Sequence, residues 1–511
     1  MARGRNGARA VAWDKAVDLE QAARNCYGDM SGDWHRDPWG WPEIGWVAKV
    51  QQKIAYDHLS SSGARLAALL DVPKENFILR PAVVLDPIDR LCYQALVDRE
   101  SARLIGALSS AAYGWRLERG AARPGNYEAQ SKEWRVYRQH VEAVGSWYPA
   151  ALQTDIVSCF ASIDIGEMVR RVRSVIGSTT TAIRLIEMIE FWAATAGRSG
   201  LVQRALPSSV LANMFLMPVD DVLGQLNKSE AGDRATALRW VDDIWVFGAN
   251  DGSLRTAQVA LQRAVEALGL NLSGAKTRIL EGDSLAAAIR ENEHSGVDAA
   301  IGQEVPDFER LNDLIDRILA DPESAPRTTI RFAATRMRDN GAFERAGELI
   351  DQAHRMPQGA DHIARLVRDA GLWPNYVDWY LWYASSNWAV CEWPVAQLGT
   401  MFPAKSDAVP VAIGELMLSW IDTNSSIARL ALASHRVAHW MPAQARLAID
   451  AVARNASASW QRRILALAGL QAGQNVTWVR RLLNAQQETQ VTLDLVEDGN
   501  LRPLRTAADY D

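Results

Sequence analysis

A change of hydrophobic period along the chain predicts an α+β protein, with strands and helices mixed up to about residue 285 and helices alone beyond it. Three stretches carry that expectation. Residues 237–248 set bulky and β-branched side chains around Asp242 and Asp243 and close on Gly248, the pattern of a β-hairpin with its acids at the bend. Residues 148–155 read as a strand that ends at Asp155 and passes into a turn. In the tail, Ile413, Leu416, Met417 and Trp420 recur at i, i+3, i+4 and i+7, and Trp460, Ile464 and Leu467 follow a similar stripe.

At 511 residues the chain exceeds one compact core and implies two or three domains. Hydrophobic residues make up 48%, enough for packed cores, without an apolar run of membrane-spanning length or a leader-like start. A soluble, cytoplasmic protein with no membrane partner is expected. Cys26, Cys92, Cys159 and Cys391 are scattered, lack zinc-ligand spacing and should be reduced. The net charge of -6 excludes a uniformly basic coat, so any phosphate-binding surface must be local.

From the start, a short basic tail holds Arg3, Arg5 and Arg9, and a helix follows over 13–26. Residues 33–46 carry two prolines, two glycines and four tryptophans. They read as a loop whose rings either anchor against another domain or subunit or stack on bases. A strand over 78–85, a helix over 88–96 and a strand or turn over 113–117 come next. Arg116, Arg119, Arg123, Lys132, Arg135 and Arg138 cluster there, as a solvated helix face or a phosphate-facing surface. Asp155 is placed as a metal ligand at a strand end or as a helix N-cap. Helices are expected over 167–176 and 182–194. A Gly-rich polar loop with Arg198, Gln203 and Arg204 then leads into a helix striped by Leu211, Phe215, Val219 and Val222. Adjacent Asp242 and Asp243 repel each other, so holding both ionised calls for a cation, whereas Asp-Asp as turn chemistry needs none. A helix over 254–268 ends at Gly269, and the chain then presents Lys276.

The tail predicts helices near 328–339, 341–354, 408–422, 425–440, 442–454, 458–471 and 475–487. Paired helices of this size point to an irregular HEAT-like solenoid. Arg327, Arg331 and Arg338 share helical spacing, as a solvated face or one turned to nucleic acid; Arg480 and Arg481 are similar.

The order of these stretches resembles a reverse transcriptase. Asp155-Ile156 with Phe160 resembles motif A; residues 200–213 look like motif B; Val241-Asp242-Asp243 resembles the double-Asp motif C; Gly269-Leu270 with Lys276-Thr277 looks like motif D. Arg80 and residues 113–116 are similar to fingers segments of retron and group II intron-like enzymes. Two positions depart from the pattern: Trp240 stands where motif C typically has Tyr, and Arg204 where motif B has Gly. A palm with a large helical tail and no other catalytic module resembles the abortive-infection and unknown-group reverse transcriptases of bacterial antiphage defence.

That resemblance implies an α+β chain with right-hand polymerase fingers and palm, followed by an all-α HEAT-like repeat domain. Its divisions would fall at 1–75, 76–285 and 286–511. It implies two-metal nucleotidyl transfer with Mg²⁺, or Mn²⁺ in its place. Asp155 and Asp242 would bridge the metals, Asp243 would be an outer ligand, and the Ile156 carbonyl an extra oxygen. Phe160 would exclude a 2′-hydroxyl, Arg80 and Arg116 would clamp the triphosphate, Gln203 would position nucleotide or template, and Lys276 would neutralise or protonate pyrophosphate. Deoxynucleoside triphosphates, a DNA product, RNA and further copies of the chain are the implied partners. Such enzymes can act without a conventional template, from a protein hydroxyl primer; Tyr510 and Tyr27 are the tyrosines considered. A templated enzyme carrying a non-coding RNA, and an RNA-binding scaffold on a degenerate polymerase, are the rival readings.

Overall fold

The computed structural model describes residues 12–65, 68–120, 124–195, 199–228, 235–290, 297, 301, 307–406, 408–484, 486–499 and 501. Arg3, Arg5, Arg9, Arg123, Arg198 and Tyr510 lie outside these residues. The chain divides into two compact units. One holds the described residues of Met1–Asp33, Ile44–Arg65 and Pro87–Ile289; the other those of Trp34–Glu43, Leu66–Asp86 and Arg290–Asp511.

The first unit is built on a five-stranded sheet of order β3-β5-β6-β4-β7. The strands are β3 (Ala112–Tyr113), β4 (Ala150–Asp155), β5 (Thr236–Trp240), β6 (Asp243–Gly248) and β7 (Arg278–Glu281). β3 runs parallel to β5, and the other pairings are antiparallel. Ile244, Trp245, Val246 and Phe247 are all buried, because β6 is covered on both faces. The helix Gln130–Gly145 packs on β3, β5 and β6, and Asp251–Glu266 packs on β4 and β6. The expected hairpin, the strand ending at Asp155 and the helix after β6 are all present.

Elsewhere the elements differ from expectation for local reasons. The helix over 13–26 is two, Trp13–Ala16 and Leu19–Asp29, because the Asp18 carboxylate accepts from the Gln21 N–H (2.9 Å) and starts a new helix. The stripe from Leu211 to Val222 also spans two helices, Leu206–Phe215 and Met217–Leu226, with Pro218 in the first turn of the second. The expected 88–96 helix extends over Pro87–Ile105 and is buried along most of its length, between Leu19–Asp29, Thr180–Ala193 and Leu206–Phe215.

That central helix buries Asp98. It accepts from Gln94 (2.7 Å), Tyr127 (2.9 Å) and Asn25 (2.8 Å), yet burial outweighs these donors and raises its pKa from 3.8 to about 7. A carboxyl raised in this way contributes stability that is complete below 3.8 and is lost as pH rises through about 7. Asp98→Asn is therefore expected to flatten the fall in thermal midpoint between about pH 4 and 7. An unchanged profile would remove Asp98 as its source.

In the second unit, β1 (Ala68–Pro73) and β2 (Leu79–Val84) form an antiparallel hairpin beside the C-terminal helices. Arg327–Asn340, Ala360–Asp369, Glu392–Gly399, Ile427–Trp440 and Ser459–Gln471 stack each on the next, with the intervening helices set against them. Glu309–Ala320, Ala360–Asp369, Val377–Ser385, Glu392–Gly399 and Gln490–Glu497 are helices that the sequence periodicity did not single out.

Residues 34–43 of the Trp-rich segment are an anchor within this unit, and the segment ends in the helix Pro42–Lys49, whose residues from Ile44 belong to the first unit. Trp34 meets Trp393 edge-on at 5.9 Å, and its carbonyl accepts from the Trp393 indole (2.6 Å). The fully buried Arg463 guanidinium forms paired hydrogen bonds to Asp37 and Glu43 and lies 4.3 Å over the Trp41 ring. Base stacking by these rings is excluded where they are buried: Trp34, Trp41 and Trp46 are each 6% exposed or less. Among the described residues no helix is long and apolar enough to cross a membrane. All four cysteines are free.

Candidate active site

Three carboxylates meet where β4 and the β5–β6 hairpin end together. Asp155, last in β4, lies in register with Asp243, first in β6; Asp243 in turn pairs with Trp240 across the hairpin. The connection is the two-residue turn Val241-Asp242. Val241 takes a φ of 54°, where a β-branched side chain is strained and glycine is the usual choice. The turn is held from two sides. The Ile156 N–H donates to the Asp242 carbonyl (3.2 Å), and the Arg239 guanidinium donates to the Val241 carbonyl (3.1 Å).

Arg239 is the residue that sequence reasoning missed. It is fully buried on β5, donates to both Asp220 oxygens (2.5 and 2.9 Å) and to the Asn213 amide oxygen (2.8 Å). Asn213 then donates to the Gly114 carbonyl (2.8 Å). One guanidinium thus ties the acidic turn to the helices Leu206–Phe215 and Met217–Leu226 and to β3. A charged residue in the middle of an apolar strand was the available signal.

Lys276 reaches Asp155 Oδ2 at 2.6 Å. Burial works against its ammonium, but the hydrogen bond to Asp155 and the charges of Asp155, Asp242 and Asp243 outweigh it and raise its pKa. The segment before Lys276 is laced to β4: Ser273 N–H donates to the Asp155 carbonyl (2.7 Å) and Val157 N–H to the Asn271 carbonyl (2.9 Å). Among the described residues no donor takes up the Ile156 carbonyl, while its N–H faces the hairpin turn. Cys159, just below, is kept as a neutral thiol by burial and by Asp242 and Asp155.

Phe160 is half-buried in the short helix Cys159–Ser162. Its carbonyl accepts from Leu201 N–H (2.8 Å), which brings the loop before Leu206–Phe215 against the strand end. Gly200 makes this approach feasible. Its φ is +70°, and a Cβ there would sit 2.0 Å from the Phe160 carbonyl oxygen and 2.7 Å from Ala161 backbone atoms. Gly200→Ala is expected to cost at least about 2 kcal/mol and to strip exchange protection from the Leu201 amide. Full protection with an unchanged melting temperature would contradict the close approach.

Arg204 takes a φ of 58°, a left-handed conformation that glycine adopts most readily. Its guanidinium lies 3.7 Å from the Cβ position of Gly32; burial raises the Asp29 pKa to about 6, against the opposing charges of Arg90 and, to a smaller extent, Arg204. The Arg204 side chain is thus directed to the N-terminal segment. Gln203 is half-buried in the same loop.

Two residues expected at the triphosphate have partners of their own in the fold. Arg116 donates to the carbonyls of Ala112 (2.5 Å), Ser109 (3.1 Å) and Ser110 (2.8 Å) and lies 4.4 Å over Tyr113, bracing the turn before β3. Arg80 is on β2 in the second unit, 5.0 Å over the Trp34 ring. Trp240 fills an aromatic cluster with Trp134 (4.9 Å), Tyr137 (5.7 Å) and Trp115 (6.1 Å), its ring 3.6 Å from the Cβ position of Gly114.

Among the described residues no group of three or more His, Cys, Asp or Glu side chains forms a ready metal cage. Magnesium is ordinarily held by one or two carboxylates, water and substrate phosphates rather than an all-protein cage. Asp155, Asp242 and the uncommitted Ile156 carbonyl fit that donor chemistry.

No family model and no curated protein matches the sequence. Among solved structures the chain has a weak likeness to telomerase from Candida albicans in complex with a fragment of telomeric RNA. The TM-score is 0.31 at 9% identity, over 68% of this chain and 69% of that one.

Proposed function

We propose that the chain is a reverse-transcriptase-type nucleotidyltransferase that adds deoxynucleotides at Asp155, Asp242 and Asp243. The observation that carries the reading is the Asp155–Asp243 register, with Asp242 on the adjoining turn. Such a turn gathers negative charge that no apolar packing rewards, and Lys276 offsets part of it. Bound Mg²⁺ or Mn²⁺ would supply Lewis-acid stabilisation of the phosphate undergoing transfer. Asp155 and Asp242 would hold the ions, with Asp243 and the Ile156 carbonyl as further oxygens. The Lys276 ammonium, kept protonated, offers a proton to departing pyrophosphate. The Phe160 ring would discriminate against a 2′-hydroxyl.

The resemblance of a palm with a large helical tail to the abortive-infection and unknown-group enzymes supports a role in antiphage defence, with synthesis that is untemplated and protein-primed. The stacked tail helices support a HEAT-like repeat in an oligomeric, cytoplasmic enzyme. A templated enzyme with a bound non-coding RNA is the second reading. It is favoured by Arg204, whose φ of 58° is a conformation open to glycine, in the loop before Leu206–Phe215. The scaffold reading has no such observation.

The test is incorporation of labelled deoxynucleotides by the purified chain with Mg²⁺ and no added nucleic acid. Label released from protein only by proteinase, after RNase pretreatment, is the expected result. A product appearing only with RNA present would establish the templated reading, and no product with any RNA or primer would overturn both.

A further inference from the structure

Outside the acidic site, the second unit gathers cations around one carboxylate. Asp361, 6% exposed at its side chain, is clamped by Arg327 through two hydrogen bonds of 2.7 and 2.9 Å. That pair is already complete as a bidentate ion pair. Three further basic groups crowd the same carboxylate beyond hydrogen-bond reach: Arg36 at 3.9 Å, Arg365 at 3.8 Å and His362 at 3.7 Å. Arg331, one turn along from Arg327 and exposed, adds its charge to His362.

Among the described residues, three of these groups lack a hydrogen-bond acceptor for at least one donor. Arg365 Nη2 is buried without a hydrogen-bond partner, and Arg331 and His362 make no hydrogen bond among the described residues. Glu75 is nearby but accepts from the Arg327 backbone N–H (3.2 Å). Burial, with Arg327, Arg331 and Arg36 acting against Asp361, lowers the His362 pKa from 6.5 to about 3. The imidazole is therefore a neutral donor in a field that strongly favours an anion. Arg327 also lies 5.0 Å over the Trp34 ring, which fixes it from behind. Pinning the Trp-rich segment accounts for Arg327 and Arg36; it does not account for Arg331, or for Arg365, which reaches Asp361 only at 3.8 Å.

We infer that Arg36, Arg331, Arg365 and His362, arranged around the Arg327–Asp361 pair, bind a phosphate oxyanion. Guanidinium forks match phosphate oxygens, and a phosphate supplies the acceptors that Asp361 lacks. The phosphate belongs either to a free nucleotide triphosphate or to the backbone of a single strand.

The experiment uses the full chain in EDTA, so that no metal bridges phosphate to the acidic site. Tripolyphosphate is expected to raise the thermal midpoint, and sodium chloride at equal ionic strength is not. Arg331→Gln with Arg365→Gln should abolish that rise and, if the source is a backbone, weaken fluorescein-oligo(dT) binding at least about tenfold with a shallower salt dependence. Loss of the tripolyphosphate effect with oligo(dT) binding unchanged assigns the site to free nucleotide phosphates. Arg331→Gln alone, at an exposed position, should reduce either effect without unfolding the chain. Arg454→Gln, which removes an equal charge on another helix, should change nothing. Unaltered responses in the Arg331 and Arg365 variants, or an equal loss in Arg454→Gln, would overturn the site.

Discussion

Asp242→Asn is expected to abolish deoxynucleotide incorporation and to leave the fold intact. The turn is positioned by the backbone: Ile156 N–H is bonded to the Asp242 carbonyl, which the substitution preserves. The side chain is half-buried at a strand end, so its exchange for an amide opens no cavity, and repulsion with Asp243 falls. The thermal midpoint should stay within about 2 °C of the parent, as for surface changes of roughly 0.5 kcal/mol. Catalysis has no such tolerance, because an amide oxygen is a far weaker metal ligand. Losing several kcal/mol of Lewis-acid stabilisation corresponds to a rate at least about a thousandfold lower. Single-turnover incorporation, measured beside a melting curve, separates the two effects. Synthesis at parental rate would sink the proposed site.

Arg239→Met has the largest expected effect on stability. It strands Asp220, 5% exposed at its side chain, and removes the donor to Asn213 and to the Val241 carbonyl. Breaking a buried ion pair from one side costs about 3–5 kcal/mol, on the order of 10 °C in a unit of this size. The double variant with Asp220→Leu should recover much of that loss, since apolar residues can replace a buried pair with little penalty. Incorporation should not recover with it, because the strained turn at Val241 still lacks its guanidinium. Full recovery of activity in the double variant would mean that Arg239 serves packing alone.

Much of the acidic site was legible in order along the chain. The hairpin at 237–248 announces itself by alternating bulk around two acids, and the strand ending at Asp155 by its run into a turn. Local pattern suffices there because strand pairing and turn geometry are short-range matters. Arg239 was passed over as one more strand residue, since its partners Asp220 and Asn213 lie 19 and 26 positions away. Arg204 looked like a departure in composition; its φ of 58° is a backbone conformation that glycine adopts most readily. Arg116 and Arg80 looked alike as basic residues. Only contacts separate a strut on three carbonyls from a guanidinium stacked on Trp34.

The sequence by itself determined the class, α+β ahead of a helical tail, and the acids that share one strand end. Hydrophobic period and turn chemistry are written in adjacent residues, and they act before any long-range contact forms. The tertiary structure alone decided the partition of the chain. Residues 34–43 and 66–86 join the C-terminal helices, although the residues between and after them belong to the other unit. Arg463 with Asp37 and Glu43, and Trp34 with Trp393, are pairs more than 350 residues apart. No local pattern encodes such pairs, because each residue would be equally content in water until its distant partner arrives.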